Sequence, residues 1–244
     1  MLSNERKEQI KSNLIKIHQN FEKYQLPDQR QPQLICVSKN HPLNDILIAN
    51  QLGEKIFAEN RVQEMLKKQE MFMHLPEAER EKYDFKWHFI GTLQKNKIKD
   101  IVGLVDLIHS VHSFDLLERI NKVSKKRGLI SKVLIQVNIA EEESKHGFKV
   151  EELESVLEKS CEMKNVKIMG LMTMAPFYED AEVYKSQIIF SKARELLNQY
   201  QKEYSADFNQ LSMGMSHDYI YALKEGATFI RIGTDIFGER NYLM

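Results

Sequence analysis

Ile10, Leu14, Ile17, Phe21 and Tyr24 recur at steps of four and three, which predicts an amphipathic helix over residues 3–24. Beyond it the apolar pattern switches back and forth between two periods. Short runs rich in β-branched and aromatic residues fall near 34–38, 55–58, 86–90, 105–110, 132–138, 167–172, 209–213 and 228–232. Helical patterns fill the intervals at 43–52, 60–73, 92–101, 114–127, 149–163, 181–203 and 216–225. Ser113 and Ser216 are placed as N-caps, and Gly128 and Gly226 as left-handed residues past helix ends. Eight strands interleaved with seven helices is the count of an α/β protein of the (β/α)8 TIM-type barrel class, with the first helix as an N-terminal addition. A doubly wound sheet is the alternative. Its first strand ordinarily leads into a glycine-rich turn, however, and Lys39-Asn40-His41-Pro42 holds no glycine. With no Pro/Gly/Ser-rich linker, residues 1–244 read as a single domain, its barrel spanning about 30–242.

Composition then removes several function classes. Lys plus Arg equals Asp plus Glu at 35 each, so no basic excess exists for nonspecific nucleic-acid binding. No apolar run approaches the roughly 18 residues of a membrane span. The polar N-terminus also lacks the apolar core of a secretory signal, and a cytoplasmic protein is expected. Cys36 and Cys161 lie in apolar patterns and are expected as reduced core residues. No Cys/His set has zinc-ligand spacing, so no metal is expected.

The most informative position is Lys39, which ends the apolar run Leu34-Ile35-Cys36-Val37-Ser38 just before Pro42 restricts the backbone. An amine at the mouth of a buried strand can shed hydration, lose its proton and attack a carbonyl. The plainer reading is a solvated structural side chain, since lysine is rarely buried. In a barrel of this class, active sites form at the carboxyl ends of the strands and phosphates bind after strands seven and eight. Those ends are Lys39, Glu59-Asn60, His88 with Gly91, Ser110, Asn138, Met172-Thr173, Ser212 to Ser216, and Arg231 to Thr234. Ser216 offers a hydroxyl at a helix start, Gly233 permits close backbone approach, and Thr234 adds a second hydroxyl. Each has a structural counterpart. Ser216 as a simple cap, Gly233 as a turn, Arg231 paired with Asp235 or Glu239, His88 as a packing residue, and Met169, Met172, Met174, Met213 and Met215 as core filler are all compatible with the pattern. Ser216, His217 and Asp218 are adjacent at a helix start and point apart, which disfavours a hydrolytic triad.

Seven segments run in order across nearly the whole chain. They are Val37-Ser38-Lys39, Glu59-Asn60-Arg61-Val62-Gln63-Glu64, Trp87 to Gly91, Ser144-Lys145 with Gly147, Gly170-Leu171-Met172, Leu211 to Ser216, and Arg231-Ile232-Gly233-Thr234. Together they resemble the pyridoxal phosphate homeostasis protein family, which is similar to the barrel domain of alanine racemase. The resemblance implies pyridoxal 5'-phosphate as cofactor, with Lys39 forming its Schiff base and Ser216, Gly233 and Thr234 holding the phosphate. It places Arg231 near the pyridine nitrogen, where a cation disfavours ring protonation. It also implies Asn60 and Met213 as pocket residues. Four positions depart from the family's pattern: Ala58 where glycine is usual, Thr92 where proline is usual, His112 for a residue that is often acidic, and Asp235. A carboxylate at Asp235 repels a phosphate unless it points away.

A racemase needs a base on each face of its substrate. In alanine racemase the second base is a tyrosine and a further domain helps complete the site. This chain runs only about ten residues past its eighth strand. The expectation is therefore a carrier or buffer of pyridoxal phosphate in vitamin B6 homeostasis, with no robust catalysis and no catalytic residue assigned. Apo pyridoxal-phosphate enzymes are its expected recipients, and a monomer or weak dimer its expected state. A minimal racemase or lyase using Lys39 as sole base is the alternative, and a sugar-phosphate enzyme is a third reading. Lys145 is a candidate second amine for the vitamer.

Overall fold

The computed structural model describes residues 4–27, 31–142 and 145–239 of the 244. Ser3, Ser144 and residues 240–242, which the sequence places in the first helix, a motif and the barrel's end, lie outside the described residues. The chain begins with α1 (Asn4–Tyr24) and β1 (Gln33–Val37), followed by α2 (Leu43–Gln51), β2 (Ile56–Glu59), α3 (Val62–Met73) and α4 (Glu77–Arg80). Next come β3 (Lys86–Phe89), α5 (Ile98–Ile101), β4 (Leu107–Val111), α6 (Phe114–Lys126), β5 (Ser131–Gln136) and α7 (Leu153–Ser160). The last third holds β6 (Val166–Met172), α8 (Ser186–Glu203), β7 (Gln210–Met215), α9 (Tyr219–Lys224), β8 (Phe229–Ile232) and α10 (Thr234–Phe237). All eight strands pair in parallel and in sequence order, and β1 closes against β8, so the sheet is a closed barrel.

Strand alternation sorts the apolar residues into two cores. On β1, Leu34 and Cys36 belong to the large cluster under the helices, whereas Ile35 and Val37 belong to a second one. That second cluster also takes Ile56, Ala58, Leu107, Leu134, Met172 and Phe229, so that six of the eight strands contribute one side to the barrel's inside. The unusual Ala58 is fully buried there. Gly128 and Gly226 adopt φ of 65° and 73° after α6 and α9, and the Ser113 hydroxyl accepts from the Leu116 N–H, as the sequence predicts.

The first helix is not a loose addition. Ile10, Leu14, Ile17 and Phe21 are all buried, worth roughly 6 to 12 kcal/mol as an upper bound before the entropy of ordering is subtracted. Its polar residues bind the seam of the barrel. Arg6 donates to Asp45 at 3.1 Å and to the Phe237 carbonyl at 2.8 Å, and Asn13 donates to the Ile236 carbonyl at 3.0 Å. The helix thus caps the last carbonyls of α10, the segment that carries Thr234.

Three expectations are corrected. Ser216 does not cap a helix: α9 starts three residues later, at Tyr219. The Asp218 carboxylate instead accepts the Met215 N–H at 2.7 Å and closes a tight turn over Ser216. Cys161 is exposed at the end of α7 rather than in the core, while Cys36 is buried as expected, and burial pushes its thiol well above the usual range. Met213 is fully buried in the large core beneath the helices and does not face the cavity described below. The cause is a bulge. Two steps along β8, Phe229 to Arg231, are matched by three along β7, Ser212 to Met215. Gly214 supplies the extra residue at φ 81°, where an added Cβ would lie 2.6 Å from that of Ala222. The bulge resets the alternation, so that Met215 turns to the cavity in place of Met213.

Candidate functional site

A cavity of about 330 Å³ opens at the carboxyl ends of β1, β7 and β8, at the lower edge of the size range for small-molecule sites. Val37, Lys39 and His41 line it from the first strand and its loop, and Arg231, Gly233 and Thr234 from the last. Ile90, Phe177, Met215, Ser216 and His217 complete the wall. The structure therefore brings together Lys39, Ser216, Arg231, Gly233 and Thr234, residues separated by nearly 200 positions in sequence. Asn60 is not among the lining residues. Its backbone carbonyl instead packs where a Cβ on Gly91 would come within 1.9 Å, so it serves the junction of the second and third loops.

Lys39 is half-buried at the rim. Arg231 is buried across the cavity, donating to the Ser212 hydroxyl at 2.7 Å and to the Thr173 carbonyl at 3.1 Å. Among the described residues it makes no ion pair with Asp235 or Glu239. Burial lowers its pKa to about 10, Asp218 opposing, so it stays cationic at neutral pH. Gly233 has little spare room, because a Cβ there would approach the Val37 carbonyl to 3.0 Å. Burial raises the Asp235 carboxyl above its usual range, the Ser216 hydroxyl opposing, so the departure at Asp235 bears directly on a predicted phosphate ligand.

Behind Arg231 lies a buried polar chain that the sequence does not announce. Ser212 Oγ meets His109 Nδ1 at 2.9 Å, and His109 Nε2 meets His88 Nδ1 at 2.9 Å. Because Arg231 already donates to Ser212, the chain runs in one direction when Ser212 donates to His109 and His109 donates to His88, which leaves the His88 proton on Nε2. Both rings must then be neutral. Burial lowers His88 to about 3 and holds His109 well below the usual imidazole range, with the His88 and Arg231 charges adding to the latter. His88 is a satisfied packing residue, as expected from its position.

Across the loops, the buried Glu59 carboxyl is raised to about 7 by desolvation, the Lys68 ammonium opposing. These shifts set an acid response. Near pH 5 the unfolded chain binds protons at both histidines that the fold excludes, while folded Glu59 keeps one that the unfolded carboxylate has mostly lost. The histidines outnumber it by roughly one proton, so stability is expected to fall by about 1.4 kcal/mol per pH unit as pH drops from 6 toward 4. Urea midpoints across that range test this, and a flat profile contradicts it.

His217, Phe177 and Met215 were not anticipated as cavity residues. Phe177 stacks on the His217 ring at 5.2 Å while remaining exposed, and His217 Nε2 meets the Tyr178 carbonyl at 2.8 Å. The aromatic pair Phe177-Tyr178 in the loop after β6 was the available signal. Lys145 bonds the Ala175 carbonyl at 2.7 Å and pairs with Glu142 at 2.8 Å, and it does not line the cavity. Among the described residues no three His, Cys, Asp or Glu side chains gather as a metal site, and no helix is long and apolar enough to cross a membrane.

Known proteins share this chain's family and fold. The family model for the alanine racemase N-terminal domain matches residues 11–241. The pyridoxal phosphate homeostasis protein of Aquifex aeolicus is 44% identical over 210 residues, covering 86% of this chain and 88% of that protein. PipY of Synechococcus elongatus, solved with PLP bound, superposes with a TM-score of 0.79 at 36% identity, covering 94% of this chain and all of PipY. Alanine racemase of Clostridium difficile shares the fold at a TM-score of 0.73 and 13% identity, over 95% of this chain and 60% of the racemase.

Proposed function

This chain belongs to the pyridoxal phosphate homeostasis protein family, built on the alanine racemase N-terminal barrel, and on that premise we propose that its cavity holds pyridoxal 5'-phosphate in vitamin B6 homeostasis. The observation that carries the reading is the convergence of one half-buried lysine with a hydroxyl, a close-approach glycine and a buried cation around one small cavity. The fit is chemical. Lys39 is a primary amine suited to the aldehyde, Thr234 and the Gly233 backbone suit the anionic phosphate, and Arg231 occupies the buried wall. When bound, the vitamer supplies an aldehyde that condenses with the Lys39 amine to a Schiff base, releasing water.

The chain's own residues do the rest. Arg231 is held rigid by Ser212 and Thr173, so its charge is fixed in place before any ligand arrives. A fixed cation disfavours protonation on whatever ring faces it, which weakens electron withdrawal and favours storage over chemistry. We therefore read the protein as a carrier or buffer that surrenders the vitamer to recipient enzymes in the cytoplasm. The racemase or lyase alternative has one observation in its favour. His41 and His217 share the cavity with Lys39, and burial keeps His41 largely neutral, able to accept a proton, Asp45 opposing.

One experiment separates binding from its absence. Protein mixed with stoichiometric pyridoxal phosphate and reduced with borohydride is expected to carry the label on the peptide containing Lys39. A label elsewhere, or none, overturns the assignment. The same preparation incubated with α-deuterated alanine or serine is expected to retain the deuteron, and steady loss favours the enzymatic alternative.

A further inference from the structure

Both peptide groups that bracket Lys39 are held by the same buried ion cluster. The carbonyl of Ser38, which belongs to the peptide before Lys39, accepts from Lys68 Nζ at 2.7 Å. The N–H of Asn40, which belongs to the peptide after it, donates to Glu64 Oε1 at 2.6 Å. Lys68 and Glu64 lie one turn apart on α3 and are themselves paired at 2.8 Å. Glu59, at the end of β2, completes the cluster. Its Oε1 accepts from Lys68 at 2.6 Å and from the Ser38 hydroxyl at 2.6 Å.

We propose that Lys68, Glu64 and Glu59 are positioning residues that fix the backbone on either side of Lys39 and so aim its amine into the cavity. The inference rests on Lys39 being the vitamer-binding amine. With one peptide plane pinned before the Cα and one after it, the two backbone rotations of Lys39 are both constrained. Asn40 follows at φ 62°, a left-handed conformation that asparagine tolerates better than most non-glycine residues. Glu64 holds the backbone in it through Asn40's own N–H.

Core stability alone gives no reason for such a cluster. Lys68 is 5% exposed and Glu59 fully buried, and a buried ion pair is often no more stable than apolar residues of the same volume. Glu59 Oε2 is buried without a hydrogen-bond partner among the described residues, a further cost. What the ions do that apolar side chains cannot is grip a carbonyl and an N–H in the same loop. The placement also explains the spacing: α3 starts directly after the second strand's loop, and its first and second turns present Glu64 and Lys68 to the first loop.

The test compares Glu64→Met with Glu64→Gln. Glu64 is the least buried of the three, so both variants are expected to fold. Glutamine keeps an oxygen for the Asn40 N–H, and methionine removes it. In Glu64→Met, the imine absorbance at fixed vitamer is expected to fall about tenfold and vitamer retention to weaken with it, while the Tm of the ligand-free protein changes little. Hydrogen exchange at the Asn40 amide should accelerate about tenfold in the ligand-free protein. Glu64→Gln should recover most of both signals. Unchanged absorbance in Glu64→Met overturns the proposal, as does a loss of imine accompanied by a clear fall in the ligand-free Tm, the pattern of simple destabilisation. An unlabelled Lys39 in the unaltered protein instead overturns the binding reading and the clamp with it.

Discussion

Lys39→Met, mixed with stoichiometric pyridoxal phosphate, is expected to show no imine absorbance and to release the vitamer on dialysis. Retention should weaken by about 100-fold, or roughly 2.7 kcal/mol. Methionine keeps an unbranched apolar stem, so the packing of the Lys39 side chain along the rim is largely preserved. The loop is also held through its backbone, where Ser38 N donates to the Ala58 carbonyl and His41 N to the Ser38 carbonyl. What disappears is the nucleophile. Arg231, Gly233 and Thr234 still face the cavity, so weak, phosphate-directed binding should survive. Undiminished absorbance and retention in the variant would mean that another nitrogen holds the aldehyde.

The barrel was legible because its strands advertise themselves. Runs such as Leu34 to Val37 and Phe229 to Ile232 are buried along their length, and the residues between them follow a helical period. The short helices were not legible. α4 and α10 have four residues each, fewer than one full period can reveal. The bulge at Gly214 was present in the sequence as a glycine between two methionines, yet which methionine faces inward depends on pairing with β8, a property of two strands at once.

The candidate site was legible where one residue's chemistry suffices and obscure where burial decides. Lys39, Arg231 and Thr234 carry their functional groups openly in the sequence and meet at the cavity. Lys68 does not stand out from its neighbour Lys67, although one is buried in an ion cluster and the other is exposed. Only the curvature that brings α3 beneath the first loop separates them. The neutral pair His88 and His109 is hidden for the same reason, because two strands must lie side by side before either imidazole has a partner.

Substitution on the phosphate side should produce the second large effect, and its sign should reverse between two neighbouring positions. Gly233→Asp is expected to weaken retention of pyridoxal phosphate by about 100-fold, consistent with two to three kcal/mol for like charges close together at a partly screened site. Part of any loss is steric, since a Cβ at this position presses on the Val37 carbonyl at 3.0 Å. Gly233→Ala isolates that part, and unphosphorylated pyridoxal isolates the charge. Retention of pyridoxal should drop by similar factors in the alanine and aspartate variants, whereas the phosphorylated vitamer should distinguish them sharply. Asp235→Ala should act in the opposite direction. It removes a negative charge beside the Ser216 hydroxyl and so leaves that hydroxyl to whatever anion binds there. Retention should tighten by roughly fivefold, the worth of about 1 kcal/mol. Equal losses for both vitamers in Gly233→Asp, or weaker retention in Asp235→Ala, would move the anionic group away from β8 and leave Ser216, Gly233 and Thr234 without a phosphate to hold.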